Sequence, residues 1–186
     1  MAQKYSDVTF GKAEAVFNKL GGMEGVEKFL RGEIEMVAKA ANFITATYKQ
    51  VVNYDLSVKE LLKAGKYDWI NEDITDKNFP SSENGEKEVE FGMFHFKRGM
   101  SSEDAIAEMK KAGYRRPATM KELLSFGKNN PDLQREFPIV ALGSVAKLNG
   151  HRRVSCLVGD GSGRDAYLDY FDGGWHDIYR FLAVRN

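Results

Sequence analysis

The stretch PIVALGSVAKLNGHRRVSCLVGDGSGRDAYLDYFDGGWHDIYRFLAV, Pro138 to Val184, decides the fold. Short β-branched and aromatic runs are separated by turn chemistry, the pattern of strands in succession rather than of helices. Asn149-Gly150 is a two-residue hairpin signal, because both residues accept positive φ. Gly159-Asp-Gly-Ser-Gly163 and Asp172-Gly-Gly174 break the run twice more, so the segment predicts about four antiparallel strands in a meander. The first of these glycine turns is not a phosphate cradle: no lysine follows it, and the next element is a strand with no helix N–H groups to offer an anion.

Working outward, KEVEFGMFHF (Lys87 to Phe96) puts Val89, Phe91 and Met93 on one face and Phe94 and Phe96 on the other. This strand is therefore expected to be covered on both sides for part of its length. Ser101 or Ser102 then opens a helix with the stripe Ala105, Ile106 and Met109, stopped by Gly113. Thr119-Met-Lys-Glu122 reads as a capping box at the head of a helix carrying Leu123, Leu124 and Phe126 inward. Upstream, the polar residues from Asn71 to Gly85 have the composition of a linker, and the domain boundary is expected there. Residues 1–80 would form a small accessory region and 86–186 the main domain. Within the first part, helices are expected around Ala13 to Leu20, stopped by Gly21, and around Met23 to Leu30. A strand follows over Tyr48 to Tyr54, then a helix capped by Ser57 and ended by Gly65.

The chain has 186 residues, with 27 Lys plus Arg against 27 Asp plus Glu. That balance supplies no long-range field for nucleic acid or an anionic membrane. No apolar run approaches the ~20 residues that cross a bilayer, and the opening lacks the apolar stretch of a secretory signal. The expected location is the cytoplasm, or outside it by export without a recognisable signal. The single cysteine, Cys156, excludes an intrachain disulfide and a cysteine-based zinc cluster, and its alternating context makes it a buried thiol.

A strand, two helices and a terminal meander resemble the C-type lectin fold, an α+β domain whose first and last strands pair, here preceded by a small helical region. RPATMKELLSF (Arg116 to Phe126) is similar to the segment that opens the second helix of formylglycine-generating enzymes, and FPIVALGSV (Phe137 to Val145) to the strand after it. WHDIYRFLAVRN (Trp175 to Asn186) resembles the closing strand of variable proteins made by diversity-generating retroelements. LGGMEGVEKFLRGE also resembles a leader found on proteins of uncultivated, small-genome microbes, many of which carry such retroelements. In that family the retroelement rewrites template adenines, so AAC and AAT codons scatter into many residues but never Lys, Glu, Gln, Met or Trp. After Lys147 this chain contains no Lys, Glu, Gln or Met. A compact meander that merely avoids long side chains is the bland alternative.

The resemblance implies a ligand-binding protein that catalyses nothing and uses no cofactor, with a protein or cell-surface ligand as partner and no nucleic acid. Candidate ligand-binding residues are Asp165, Tyr167, Asp169, Tyr170, Asp172, Gly173, His176, Asp177 and Ile178, in and around two hairpin turns. Leu168, Phe171, Trp175, Tyr179, Phe181 and Ala183 interleave with them as scaffold, together with Arg180. Tyrosine offers large contact area at low entropic cost, while Gly and Asp adapt to a partner. The copper chemistry of the formylglycine-generating relatives needs paired cysteines, which one cysteine cannot supply. His176-Asp177 after Trp175 resembles the Trp-Asn-Asp calcium element of animal lectins. Here His replaces Asn and the partner Glu-Pro-Asn motif is missing, so no metal is expected unless Asp169, Asp172 and Asp177 converge. Asp104, Glu108 and Glu122 read as helix-surface or capping carboxylates. A fixed interaction module or surface adaptor is the second reading. An enzyme of another type, which would need a deep polar pocket, is the third.

Overall fold

The computed structural model describes residues 9–33 and 43–185, and the chain divides into two compact units, Met1–Ala40 and Ala41–Asn186. In the first unit, α1 (Phe10–Leu20) is capped by Thr9, whose hydroxyl accepts from the Lys12 N–H, and it ends at Gly21 with φ 89°. Left-handed backbone of this kind costs glycine nothing. α2 (Met23–Leu30) follows after Gly22, so both helices form where their apolar spacing predicts.

The second unit is a mixed sheet with helices packed on it. β1 (Ile44–Asn53), α3 (Val58–Gly65), β2 (Trp69–Ile70), β3 (Glu86–Phe94), α4 (Ser102–Lys111), β4 (Arg116–Pro117), α5 (Met120–Asn129), α6 (Leu133–Glu136), β5 (Ile139–Leu148), β6 (His151–Gly159), β7 (Arg164–Tyr170) and β8 (Arg180–Val184) follow in order. The sheet runs β1-β3-β8-β5-β6-β7-β2, with β4 joined to β8. The described residues thus hold six helices and an eight-stranded sheet.

Two cores lie on opposite faces of this sheet. Val89, Phe91 and Met93 join Leu123, Leu124 and Phe126 of α5 in one, while Phe94 and Phe96 join Ala105 and Met109 of α4 in the other. The two-faced reading of Lys87 to Phe96 therefore holds, and its strand pairs with the last one: Phe91 opposes Val184 and Phe94 opposes Phe181. Cys156 is buried, and burial pushes its thiol pKa up, so it stays a protonated packing group.

Three expectations need correction. The linker assigned to Asn71–Gly85 is an ordered loop of the second unit: Ile74 and Phe79 are buried in its core, and Asp76 accepts from the Val58 N–H at 3.0 Å. Val52, Tyr54, Val58 and Leu61 share that core, and β1 pairs along β3, so the division falls between Ala40 and Ala41 rather than near residue 80. The accessory region 1–80 and the domain 86–186 also include residues 1–8, 34–42 and 186, which lie outside the described ones. Thirdly, only β5, β6 and β7 form a meander. β8 returns between β3 and β5 and runs parallel to β5, with Ile139 opposite Arg180. Phe181, Leu182, Ala183 and Val184 are all buried, and only an interior strand covers both faces of such a run.

β5 breaks register between Ala141 and Val145. There the Gly143 N–H donates to Ala118 O at 2.8 Å, and Ser144 Oγ accepts from the Met120 N–H at 3.1 Å, so the bulge caps α5 from the sheet.

Candidate functional site

β7 alternates sharply. Arg164, Ala166 and Leu168 turn inward, and Asp165, Tyr167 and Asp169 turn outward on the face that carries Val154 and Cys156 of β6. The inner row is fixed by Arg164, a buried guanidinium held by amide carbonyls: it donates to the backbone Gly65 O at 2.7 Å and Gly127 O at 2.9 Å and to the side-chain Gln134 Oε1 at 3.1 Å. One side chain thus ties β7 to α3, α5 and α6. The preceding turn is a self-contained Asx turn, since Asp160 Oδ1 accepts from the Ser162 N–H at 2.7 Å and the Gly163 N–H at 3.0 Å. The Ser162 hydroxyl, which donates to the same oxygen at 2.6 Å, together with these N–H groups holds its carboxyl below the usual range.

Beyond Tyr170 the chain does not make the second hairpin that Asp172-Gly-Gly174 suggests. It crosses from β7 to β8 in a loop, Phe171 to Tyr179, pinned by Trp175. That indole is 3% exposed, and its N–H donates to Ser102 Oγ at 2.8 Å, while the Ser102 hydroxyl donates to Phe171 O at 2.6 Å. Met100 and Trp175 exchange two backbone hydrogen bonds, and the Trp175 ring meets Phe181 edge-on at 5.6 Å. His95 Nε2 bonds Asp177 O at 2.7 Å. The loop backbone is therefore held from beneath while Asp172, Gly173, His176, Asp177 and Ile178 are exposed.

The candidates divide as follows. Asp165 and Asp169 are half-buried and the other seven exposed, whereas Leu168, Phe171, Trp175, Phe181 and Ala183 are buried and Tyr179 and Arg180 half-buried. Tyr170 departs from the group. It lies on the opposite face with His151, 5.4 Å away, and with the Arg153 guanidinium 3.4 Å above its ring. Asp169 accepts from the Tyr179 hydroxyl at 3.3 Å, and burial together with this carboxylate pushes the Tyr179 pKa up to about 12. Asp172 pairs with Arg152 at the surface, and the guanidinium lowers its carboxyl pKa. Asp169, Asp172 and Asp177 do not converge: among the described residues no three His, Cys, Asp or Glu side chains are grouped to hold a metal ion.

Trp69 is absent from the sequence-level set. It sits on the edge strand β2, opposite Asp165 in parallel pairing, 47% exposed and with its ring 5.8 Å from that of Tyr167. A two-residue strand has no periodicity to betray it; the signal was a tryptophan in an otherwise polar stretch.

Glu122, a capping carboxylate by its place in the sequence, is more than that. It does accept from the Thr119 N–H at 2.7 Å, but it is fully buried, takes two bonds from Arg116 (2.7 and 2.6 Å) and a short one from the Tyr54 hydroxyl. All its oxygens are spent on structure. No helix among the described residues is long and apolar enough to cross a membrane. No protein-family model, curated protein or solved structure matches the chain.

Proposed function

We propose that the chain is a non-catalytic ligand-binding protein of C-type lectin topology, with its outer β7 residues and the Phe171–Tyr179 loop diversified by a retroelement. The observation that carries this reading is the separation of residues after Lys147. Eight of the nine candidate positions, all but Tyr170, lie on the outward row of β7 or on the loop surface, and none of the nine is buried. The residues that hold the loop, Phe171, Trp175 and Phe181, are packed away from it. Replacing the outward residues removes no buried side chain, the property a rewritten surface requires, and at Asp169 it gives up the bonds from the Tyr179 hydroxyl and the Tyr170 N–H. The order of elements supports the topology: β3 and β8 pair while α4 and α5 intervene between them. Tyr170 belongs to the rewritten set only as a position on the other face.

Sequencing around the gene tests this. An imperfect repeat of the codons for the last thirty or so residues should lie nearby, differing mainly at adenines, beside a reverse transcriptase gene. Copies from a population should vary at Asp165, Tyr167, Asp169, Tyr170, Asp172, Gly173, His176, Asp177 and Ile178 and stay fixed at Trp175. A locus with neither repeat nor reverse transcriptase leaves a fixed interaction module on the same sheet.

A further inference from the structure

Between β2 and the Asp160 turn lies a surface concavity lined by Asp68, Trp69, Val158, Asp160, Ser162 and Asp165, with glycine backbone completing it. Three carboxylates and an exposed indole face it, and no lysine, arginine or histidine lines it. None of the three carboxylates forms an ion pair among the described residues. Arg135 donates to the carbonyls of Asp160 and Gly163, close enough for its charge to help lower the Asp160 carboxyl pKa without forming an ion pair, and Arg164 is buried on backbone carbonyls. Asp68 accepts the Arg164 backbone N–H at 2.8 Å, which fixes its carboxylate without neutralising it. The carboxylates are not grouped closely enough to hold a metal ion, so the charge they offer suits a larger cation. Tyr167, 42% exposed, extends the Trp69 surface outward.

We infer that this concavity binds the arginine or lysine side chain of a protein partner, with its alkyl stem along Trp69 and its charged head among Asp165, Asp160 and Asp68. An indole face attracts a cation and covers its methylenes at once, and carboxylates outside any ion pair, Asp165 above all, supply the counter-charge. The proposal rests on this surface being ligand-binding and not on its being rewritten. Trp69 and Asp68 precede the Lys-free segment, so they form a constant half of the site beside the changeable Asp165 and Tyr167.

The test uses the full chain and its two tryptophans. Trp69 and Trp175 give two indole N–H resonances, one at the concavity and one buried as an internal control. Titration with N-acetyl-arginine amide or N-acetyl-lysine amide should move the Trp69 signal saturably and leave that of Trp175 in place. The neutral isostere N-acetyl-citrulline amide should not move it. Asp165→Asn should weaken binding at least fivefold with an unchanged melting temperature, and raised salt should weaken it further. An equal response to citrulline amide, no response to either cation, or binding of spermidine without the arginine or lysine amide would overturn the proposal. An adenine-variant repeat at the locus together with a silent Trp69 signal would reject the cation site while leaving the diversified surface standing.

Discussion

Glu122 shows what a single residue contributes beyond its local motif. Its pair with Arg116, which spans six positions, and the capping box at Thr119 both lie within reach of sequence reading. Tyr54, the third partner, is 68 positions away, and no local pattern announces it. Burial works to raise the Glu122 pKa, but the hydrogen bonds from Arg116 and Tyr54 prevail and lower it. The folded value lies below the unfolded one, so the stabilisation is present above the ordinary carboxylate pKa and is lost as pH falls through the folded value. Burial and the neighbouring carboxylate raise the Tyr54 pKa, so its contribution is complete below about pH 10 and is lost as pH rises through the folded value. Glu122→Gln strands the Arg116 charge and should lower stability by about 3 kcal/mol in urea titrations at pH 7, and should flatten the acid limb of stability against pH. Tyr54→Phe removes one neutral donor to a carboxylate and should cost about 1–2 kcal/mol, with the acid limb largely retained.

The loop from Phe171 to Tyr179 carries the argument at the scale of an element. Its glycines and aspartates were legible as a turn, yet turn chemistry does not say which strand comes next. β8 occupies the interior of the sheet because its four successive buried residues need cover on both faces, and the loop must cross to reach that place. Trp175 holds the crossing through Ser102 and Met100, neither of which is near it in sequence. Trp175→Ala should therefore cost about 3–5 kcal/mol by thermal or urea unfolding. His176→Ala, Asp177→Ala and Ile178→Ala should each stay within about 0.5 kcal/mol of the parent. A large loss at Ile178 would show that the loop surface is part of the core and would remove its suitability for rewriting. The sheet edge beside it is also protected. Beyond the two residues covered by β2, the Arg153 guanidinium reaches Leu168 O and Asp169 accepts from the Tyr170 N–H at 2.7 Å. Side chains here occupy backbone groups that would otherwise recruit a foreign strand.

For the molecule as a whole the decisive question is where the cooperative unit begins. Polar composition between Asn71 and Gly85 suggested a break, but composition does not register that Ile74 and Phe79 reach back into the core, nor that the ten-residue β1 lies along β3. Val52, Tyr54, Val58, Leu61 and Leu62 all belong to the core shared with Phe91 and Phe126. Removing residues 1–85 would strip β3 of its neighbour, uncover α5 where α3 packs, and leave Glu122 without Tyr54. Removing residues 1–40 would touch none of these contacts. A fragment of residues 41–186 should accordingly unfold in one cooperative transition, with amide protection in β3, β8 and β5 matching that of the full chain. A fragment of residues 86–186 should lack dispersed amide resonances and bind hydrophobic dye. If the shorter fragment folded cooperatively, β1 and α3 would be dispensable. The edge strand β2 would then be an appendage to a smaller domain rather than part of the frame that holds Trp69 beside Tyr167.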